Sequence, residues 1–109
     1  MEWLHELSYF GGGLVLTNAI PHFVSGTMGR PFQSPFARPR GEGFSSSTVN
    51  AAWGFLNLAI AYLLVCRVGD FDVRATADSI ALGLGMLLSS LFMAWHFGRF
   101  NGGNAPLKE

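Results

Sequence analysis

The sequence has 109 residues, which is room for one domain with one core, and half of those residues are hydrophobic. Only 13% of the residues are charged, whereas an average soluble domain carries roughly 25%. Seven basic and seven acidic residues cancel, which argues against a nucleic-acid partner, and the single cysteine, Cys66, excludes an internal disulfide framework.

Three long segments contain no Asp, Glu, Lys or Arg: residues 7–29, 43–66 and 79–98. Each is close to the roughly 20 residues that a helix needs to cross a hydrocarbon layer of ~30 Å. We therefore expect an all-α integral membrane protein with three transmembrane helices in a small bundle. The single membrane domain covers residues 1–109, with spans at about residues 8–29, 47–67 and 79–98.

The three predicted spans differ in polarity. The second and third are apolar around the whole helix, and a chain this short has too little protein to bury two such helices. The first is interrupted by Gly11–Gly13, Thr17, Asn18 and Pro21. Its alternative is a re-entrant or interfacial helix that ends at Pro21, since re-entrant segments survive only when buried against other helices.

Local signals mark the ends of the helices and the loop between the first two. The hydroxyl side chains of residues 45–48 predict an N-cap for the second helix, and Asp78 predicts one for the third. Asn101–Gly103 predicts the end of the third helix. Prolines in residues 30–46 predict an extended or polyproline II loop, which is either plainly solvated or lies at the lipid interface.

Positive charges predict the orientation. The side with the amino terminus carries Arg67 and Arg74, whereas the other side carries more basic residues. The positive-inside rule then places the amino terminus outside and both the carboxyl terminus and the loop of residues 30–46 in the cytoplasm, as expected for a cell (inner) membrane protein. The residues predicted to lie at the lipid interface are Arg30, Arg38, Arg40, Trp53, Trp95 and Arg99.

Small and polar residues recur at helical spacing in each span, and such residues form helix–helix contacts in lipid. The first span carries Asn18, His22, Ser25 and Gly29, and the second carries Asn50, Gly54, Asn57 and Ala61. The third has two rows on different faces: Ala81, Gly85 and Ser89, and Ser90, Ala94 and Gly98. A three-helix bundle uses one seam on each helix, so the second row predicts a homo-oligomer or further membrane subunits.

The predicted topology brings His22, Asn50 and His96 to the same end of the bundle, with Asn18 and Asn57 nearby. These residues either bind a ligand, such as a substrate head group or a relayed proton, or hold the helices together by hydrogen bonds. A third alternative makes His22 and His96 the axial ligands of a haem. No metal site is expected, because His5 and Cys66 lie far from both histidines.

The sequence indicates no nucleophile beside a base and no phosphate-binding loop, so an enzyme is not expected. We expect instead a small structural or accessory subunit of a homo-oligomer or of a larger membrane complex, with the lipid bilayer as its surroundings and no cofactor. A transporter or ligand-binding bundle with a polar site at His22, Asn50 and Asn57 is the main alternative. A bis-histidine haem protein is the more remote one.

Overall fold

A computed structural model describes residues 2–105 and consists of three long helices and one small hairpin. The elements in chain order are α1 (Glu2–Thr27), β1 (Phe32–Gln33), β2 (Phe44–Ser45), α2 (Ser47–Tyr62) and α3 (Thr76–Asn101). A π-helical segment, Leu63–Val68, continues α2 directly. The chain is therefore mostly helical, as expected from the sequence.

Two of the helical stretches, Ser47–Val68 and Thr76–Asn101, are long and apolar enough to cross a membrane. Few residues on either stretch are buried: Asn50, Gly54, Asn57 and Ala61 on the first, and Gly85 and Ser89 in α3. α1 has 26 residues but falls outside this group. It runs through Pro21 to Thr27, so the helix does not end at that proline.

The helix ends follow two of the three predicted signals. Ser46 caps α2, with its Oγ accepting the N–H of Val49 at 3.2 Å. Gly102 ends α3 in the left-handed conformation, with φ +74°. The prediction that Asp78 caps α3 is wrong: the helix begins at Thr76, and Asp78 lies in its first turn, where its Oδ2 accepts the N–H of Asp72 at 3.0 Å.

α1 is the central helix of the fold. It packs against both α2 and α3, and these two outer helices scarcely touch each other. The molecule accordingly measures 48 × 33 × 22 Å, the proportions of a single layer of helices. Glycines allow close approach: a Cβ at Gly54 would overlap the backbone of Phe23, and one at Gly85 would overlap the carbonyl of Phe10.

Polar side chains lie in the interior and large apolar side chains lie on the surface, which is the reverse of the arrangement in a water-soluble protein. Among residues 3–105, the buried hydrophobic residues are only Tyr9, Ala19, Ala37 and Ala61. The buried polar residues are Ser8, Thr17, His22, Gln33, Ser34, Asn50, Asn57 and Ser89. Large apolar side chains such as Phe55, Leu88 and Leu91 are instead more than half exposed.

The loop between α1 and α2 folds back on itself as a hairpin, defined here as residues 30–46. β1 and β2 pair antiparallel, with Phe32 opposite Ser45 and Gln33 opposite Phe44. The carbonyl of Ser34 accepts the N–H of Gly41 at 2.8 Å and closes the turn. The prediction of an extended or polyproline II segment is therefore wrong, because the backbone groups of this loop pair with one another and with neighbouring side chains.

Candidate functional site

The polar residues gather where α1 ends, α2 begins and the hairpin folds over both. Nδ1 of His22 lies 2.8 Å from Oδ1 of Asn50, and the two side chains are 2% and 0% exposed. Nδ2 of Asn50 faces three carbonyl oxygens: those of Phe32 at 3.1 Å, Ser45 at 3.2 Å and Ser46 at 3.1 Å. Asn50 thus links α1, the hairpin and the first turn of α2.

These contacts assign the tautomer of His22. Carbonyl oxygens only accept hydrogen bonds, so the amide nitrogen of Asn50 must face them and its oxygen must face His22. Nδ1 of His22 therefore carries the proton and donates it to Asn50. In the neutral ring Nε2 of His22 then carries the lone pair, and none of the described residues forms a hydrogen bond with it.

His96 fastens the hairpin to α3. Its Nε2 donates to the carbonyl oxygen of Gly41 at 2.8 Å, and its Nδ1 accepts from Arg99 at 2.9 Å. The guanidinium of Arg99 also lies 4.3 Å from the centre of the Trp95 ring. Both nitrogens of His96 are hydrogen-bonded, so binding of a haem iron by His96 would break one of these contacts.

A partly open cavity of about 280 Å³ lies between the helices and the hairpin, and we name it the histidine cavity. His22 and His96 both line it, so the structure brings the two histidines to one site. Aromatic rings surround His22, with Phe32 at 5.6 Å and Phe97 at 5.9 Å between ring centres. The other polar or aromatic lining residues are Asn18, Ser34, Trp53 and Phe92.

Asn18 and Asn57 pair between α1 and α2. Nδ2 of Asn18 donates to Oδ1 of Asn57 at 3.2 Å, and Nδ2 of Asn57 donates to the carbonyl oxygen of Trp53 at 2.8 Å. Of the five residues proposed for ligand binding, Asn18, His22 and His96 line the histidine cavity. Asn50 and Asn57 do not line the cavity. Their side chains instead form hydrogen bonds between α1 and α2.

The small residues fall on two different surfaces. Gly54 and Ala61 are buried on α2, and Gly85 and Ser89 are buried on α3 near a half-buried Ala81. Oγ of Ser89 donates to the carbonyl oxygen of Leu14 at 2.9 Å. The second row of α3 consists of Ser90, Ala94 and Gly98. It lines a groove of about 610 Å³ between α1 and α3, together with Thr17, Ile20 and Met93.

The residues expected at a lipid interface lie mostly on the surface. Arg30, Arg38, Arg40, Trp95 and Arg99 are exposed. Trp53 is half-buried, because its ring packs edge-on against Phe36 at 5.0 Å and also lines the histidine cavity.

The sequence does not predict two buried polar residues of the hairpin. Gln33 and Ser34 are each 1% exposed, and Oε1 of Gln33 accepts from Nδ2 of Asn101 at 3.3 Å. Oγ of Ser34 accepts the N–H of Phe36 at 3.1 Å. The Ser34–Pro35 pair, which favours the start of a turn, was the one available signal.

No protein-family model, no curated protein and no solved structure matches this chain. Within residues 2–105, no group of three or more His, Cys, Asp and Glu side chains is arranged to hold a metal ion. The site as described is an imidazole whose Nε2 has no hydrogen-bond partner among residues 2–105, set in a cavity lined by aromatic rings and the amide of Asn18.

Proposed function

We propose that this chain is an integral membrane protein in which α1 crosses the bilayer together with α2 and α3. The reversed distribution of side chains carries the proposal: polar groups pair in the interior while Leu and Phe side chains face outward. Exposing that much apolar surface to water is unfavourable by ~25 cal/mol per Å². The long axis of 48 Å also matches a bilayer with its head groups, which is about 40–45 Å thick.

The proposed orientation has the hairpin in the cytoplasm and the amino terminus outside. Among residues 2–105, the hairpin end carries Arg30, Arg38, Arg40 and Arg99 and the acidic residue Glu42. The segment 69–78 at the opposite end carries Asp70, Asp72 and Asp78 with Arg74. The excess of arginine on one side favours this orientation in a cell (inner) membrane.

Within the membrane, we propose that the chain acts as a small structural or accessory subunit, as a homo-oligomer or in a larger complex. The single layer supports this role, because α2 and α3 contact α1 and leave each other's sides open. The groove between α1 and α3 adds to it. Small side chains at Ser90, Ala94 and Gly98 would let the backbone of another transmembrane helix approach closely.

Cysteine labelling tests the membrane topology. With Cys66→Ser as the background, Asp72→Cys and Glu42→Cys place single thiols on exposed residues at opposite ends. A membrane-impermeant maleimide should label Asp72→Cys in intact cells, and should label Glu42→Cys only after the cells are lysed. Equal labelling of both variants in intact cells, or recovery of the protein without detergent, would contradict the proposal.

Native mass spectrometry from mild detergent tests the subunit role. We expect a complex with a second copy or with another membrane protein, and we expect Ala94→Phe to dissociate it because the added ring fills the groove. Leu91→Phe is the matched control, since Leu91 is 60% exposed and lies outside the groove. A strictly monomeric protein with no co-purifying partner would contradict the subunit role.

A second candidate function is the binding of a small neutral molecule in the histidine cavity. Nε2 of His22 and the buried Nε1–H of Trp53 favour it, because neither has a hydrogen-bond partner among the described residues. A transporter or ligand-binding bundle would lose activity in His22→Ala while the amount of folded protein in the membrane stays constant. If His22→Ala lowers only the abundance of folded protein, the histidine is structural.

A further inference from the structure

Two adjoining depressions on the outside of α2 and the hairpin differ in character. One, of about 480 Å³, is lined by Phe36, Arg38, Arg40 and Trp53. The other, of about 450 Å³, is lined entirely by apolar side chains: Phe36, Val49, Ala52, Trp53 and Leu56. Phe36 and Trp53 form the wall that the two share, so a basic half and an apolar half are continuous.

The basic half has positive charge that the protein leaves unmatched. Arg38 and Arg40 are exposed, and within residues 2–105 neither forms an ion pair. The turn that carries them is held by backbone hydrogen bonds, including the N–H of Gly43 to the carbonyl oxygen of Pro39 at 2.8 Å. Ala37, next to Arg38, is only 8% exposed and anchors the turn. The two guanidinium groups therefore extend from a fixed backbone.

The apolar half is accessible from the side of the helix. Phe36 is 62% exposed and Leu56 is 48% exposed, and a small residue, Ala52, lies on α2 between Val49 and Leu56. The depression runs along α2 from near its first turn, so it extends from the hairpin end toward the middle of the helix. An acyl chain lying against α2 would cover these side chains.

We propose that this surface binds one anionic phospholipid, with its phosphate on Arg38 and Arg40 and one acyl chain against Val49, Ala52 and Leu56. The inference rests on the proposed membrane location and adds a defined lipid site to it. Charge complementarity selects the occupant, because two unpaired arginines favour a head group with net negative charge over a zwitterionic one. The apolar half selects a lipid over a free anion.

Native mass spectrometry of the full chain tests the site, with phosphatidylglycerol and phosphatidylcholine of identical acyl chains as probes. We expect one phosphatidylglycerol to be retained at least roughly tenfold better than phosphatidylcholine, a ratio in keeping with two arginines near an anionic head group. The double variant Arg38→Gln/Arg40→Gln should lose this preference. Arg67→Gln/Arg74→Gln removes the same charge at the opposite end of the bundle and should retain it.

A second variant tests the apolar half. Ala52→Phe fills the depression and should lower phosphatidylglycerol retention while both arginines remain, and circular dichroism reports whether each variant keeps its helices. Equal retention of the two lipids by the wild type, or equal loss in both arginine double variants, would overturn the proposal. Displacement of the lipid by inorganic phosphate would assign the basic half to a free anion instead.

Cysteine labelling separates these results from a failure of the membrane proposal. A chain that lacks only the lipid site still shows labelling of Asp72→Cys, and not of Glu42→Cys, in intact cells.

Discussion

Asn50 receives the Nδ1–H of His22 through its side-chain oxygen and donates through its nitrogen to the hairpin, so one amide joins segments that are distant in sequence. Both the oxygen and the nitrogen of this amide form hydrogen bonds with other protein groups. The hydrogen bond to Asn50 keeps a proton on Nδ1 of the imidazole ring.

Replacing Asn50 should destabilise the fold more than replacing any exposed amide. Asn50→Leu leaves the buried Nδ1–H of His22 without its acceptor and removes the amide donor to the carbonyls of Phe32, Ser45 and Ser46, which we expect to cost at least about 2 kcal/mol in the free energy of unfolding. Thermal melting in mild detergent, followed by circular dichroism, measures the change. Asn104→Leu is the control, because Asn104 is exposed and its contact with Ala94 is 3.5 Å long. Equal melting temperatures for the two variants would contradict this role of Asn50.

His96 should hold the hairpin closed. Arg30 and Arg38 precede prolines, which leaves the Arg40–Gly41 bond as the site in the hairpin that trypsin can cleave. His96→Leu removes the hydrogen bond to Gly41, and the loss of ~0.5–1.5 kcal/mol should raise the rate of cleavage roughly 2- to 12-fold. His96→Gln keeps an N–H donor and should cleave more slowly than His96→Leu. Cleavage at the wild-type rate in His96→Leu would show that the hairpin is held by other contacts.

Gly54 on α2 and Gly83 on α3 should differ sharply in how much an alanine substitution destabilises the fold. A Cβ at Gly54 would overlap the backbone of Phe23, so we expect Gly54→Ala to cost about 1–3 kcal/mol by forcing α1 and α2 apart. Gly83→Ala is the matched control, since a Cβ there meets nothing within 4 Å and alanine favours a helix by up to ~1 kcal/mol. Melting temperatures of the two variants test the prediction. A destabilised Gly83→Ala would contradict the packing described for α3.

Thr17 should tolerate loss of its hydroxyl. Its Oγ1 is buried in the groove between α1 and α3 and has no hydrogen-bond partner among the described residues. Thr17→Val keeps the shape of the side chain and removes the unsatisfied group, so its stability should equal or exceed that of the wild type by up to ~1 kcal/mol. Ser89→Ala provides the contrast, because it removes the hydrogen bond to Leu14 and should be less stable. A clear loss of stability in Thr17→Val would indicate that the hydroxyl has a partner in the membrane.

On α2, local periodicity groups the small and polar residues on the face that is buried. Residues at spacings of three and four share one face of a helix, and Asn50, Gly54, Asn57 and Ala61 are all buried on α2. The cap at Ser46 and the stop at Gly102 are likewise local, because each depends on contacts with residues a few positions away.

The hairpin, and the hydrogen bonds that tie it to the helices, depend on contacts between residues that are far apart in sequence. Gly41 binds His96, which lies 55 residues further along the chain, and Asn50 binds Phe32 across 18 residues. The prolines predicted an extended loop because their local preference was considered without these side-chain donors. The predicted cap at Asp78 is wrong for a related reason. Its carboxylate accepts the N–H of Asp72 in the preceding loop, and the helix begins two residues before it.

The central position of α1 has a consequence for the order of assembly in the proposed membrane. α1 is synthesised before the other helices, yet it buries the polar side chains of Ser8, Thr17 and His22 and is the least suited of the three to lie alone in lipid. Asn18 and His22 find their partners on α2, and the carbonyl of Leu14 finds its donor on α3. If α1 crosses the bilayer as proposed, we expect it to be stably inserted only after α3 has been added, so a fragment with any two of the helices should be less stable in the membrane than all three together.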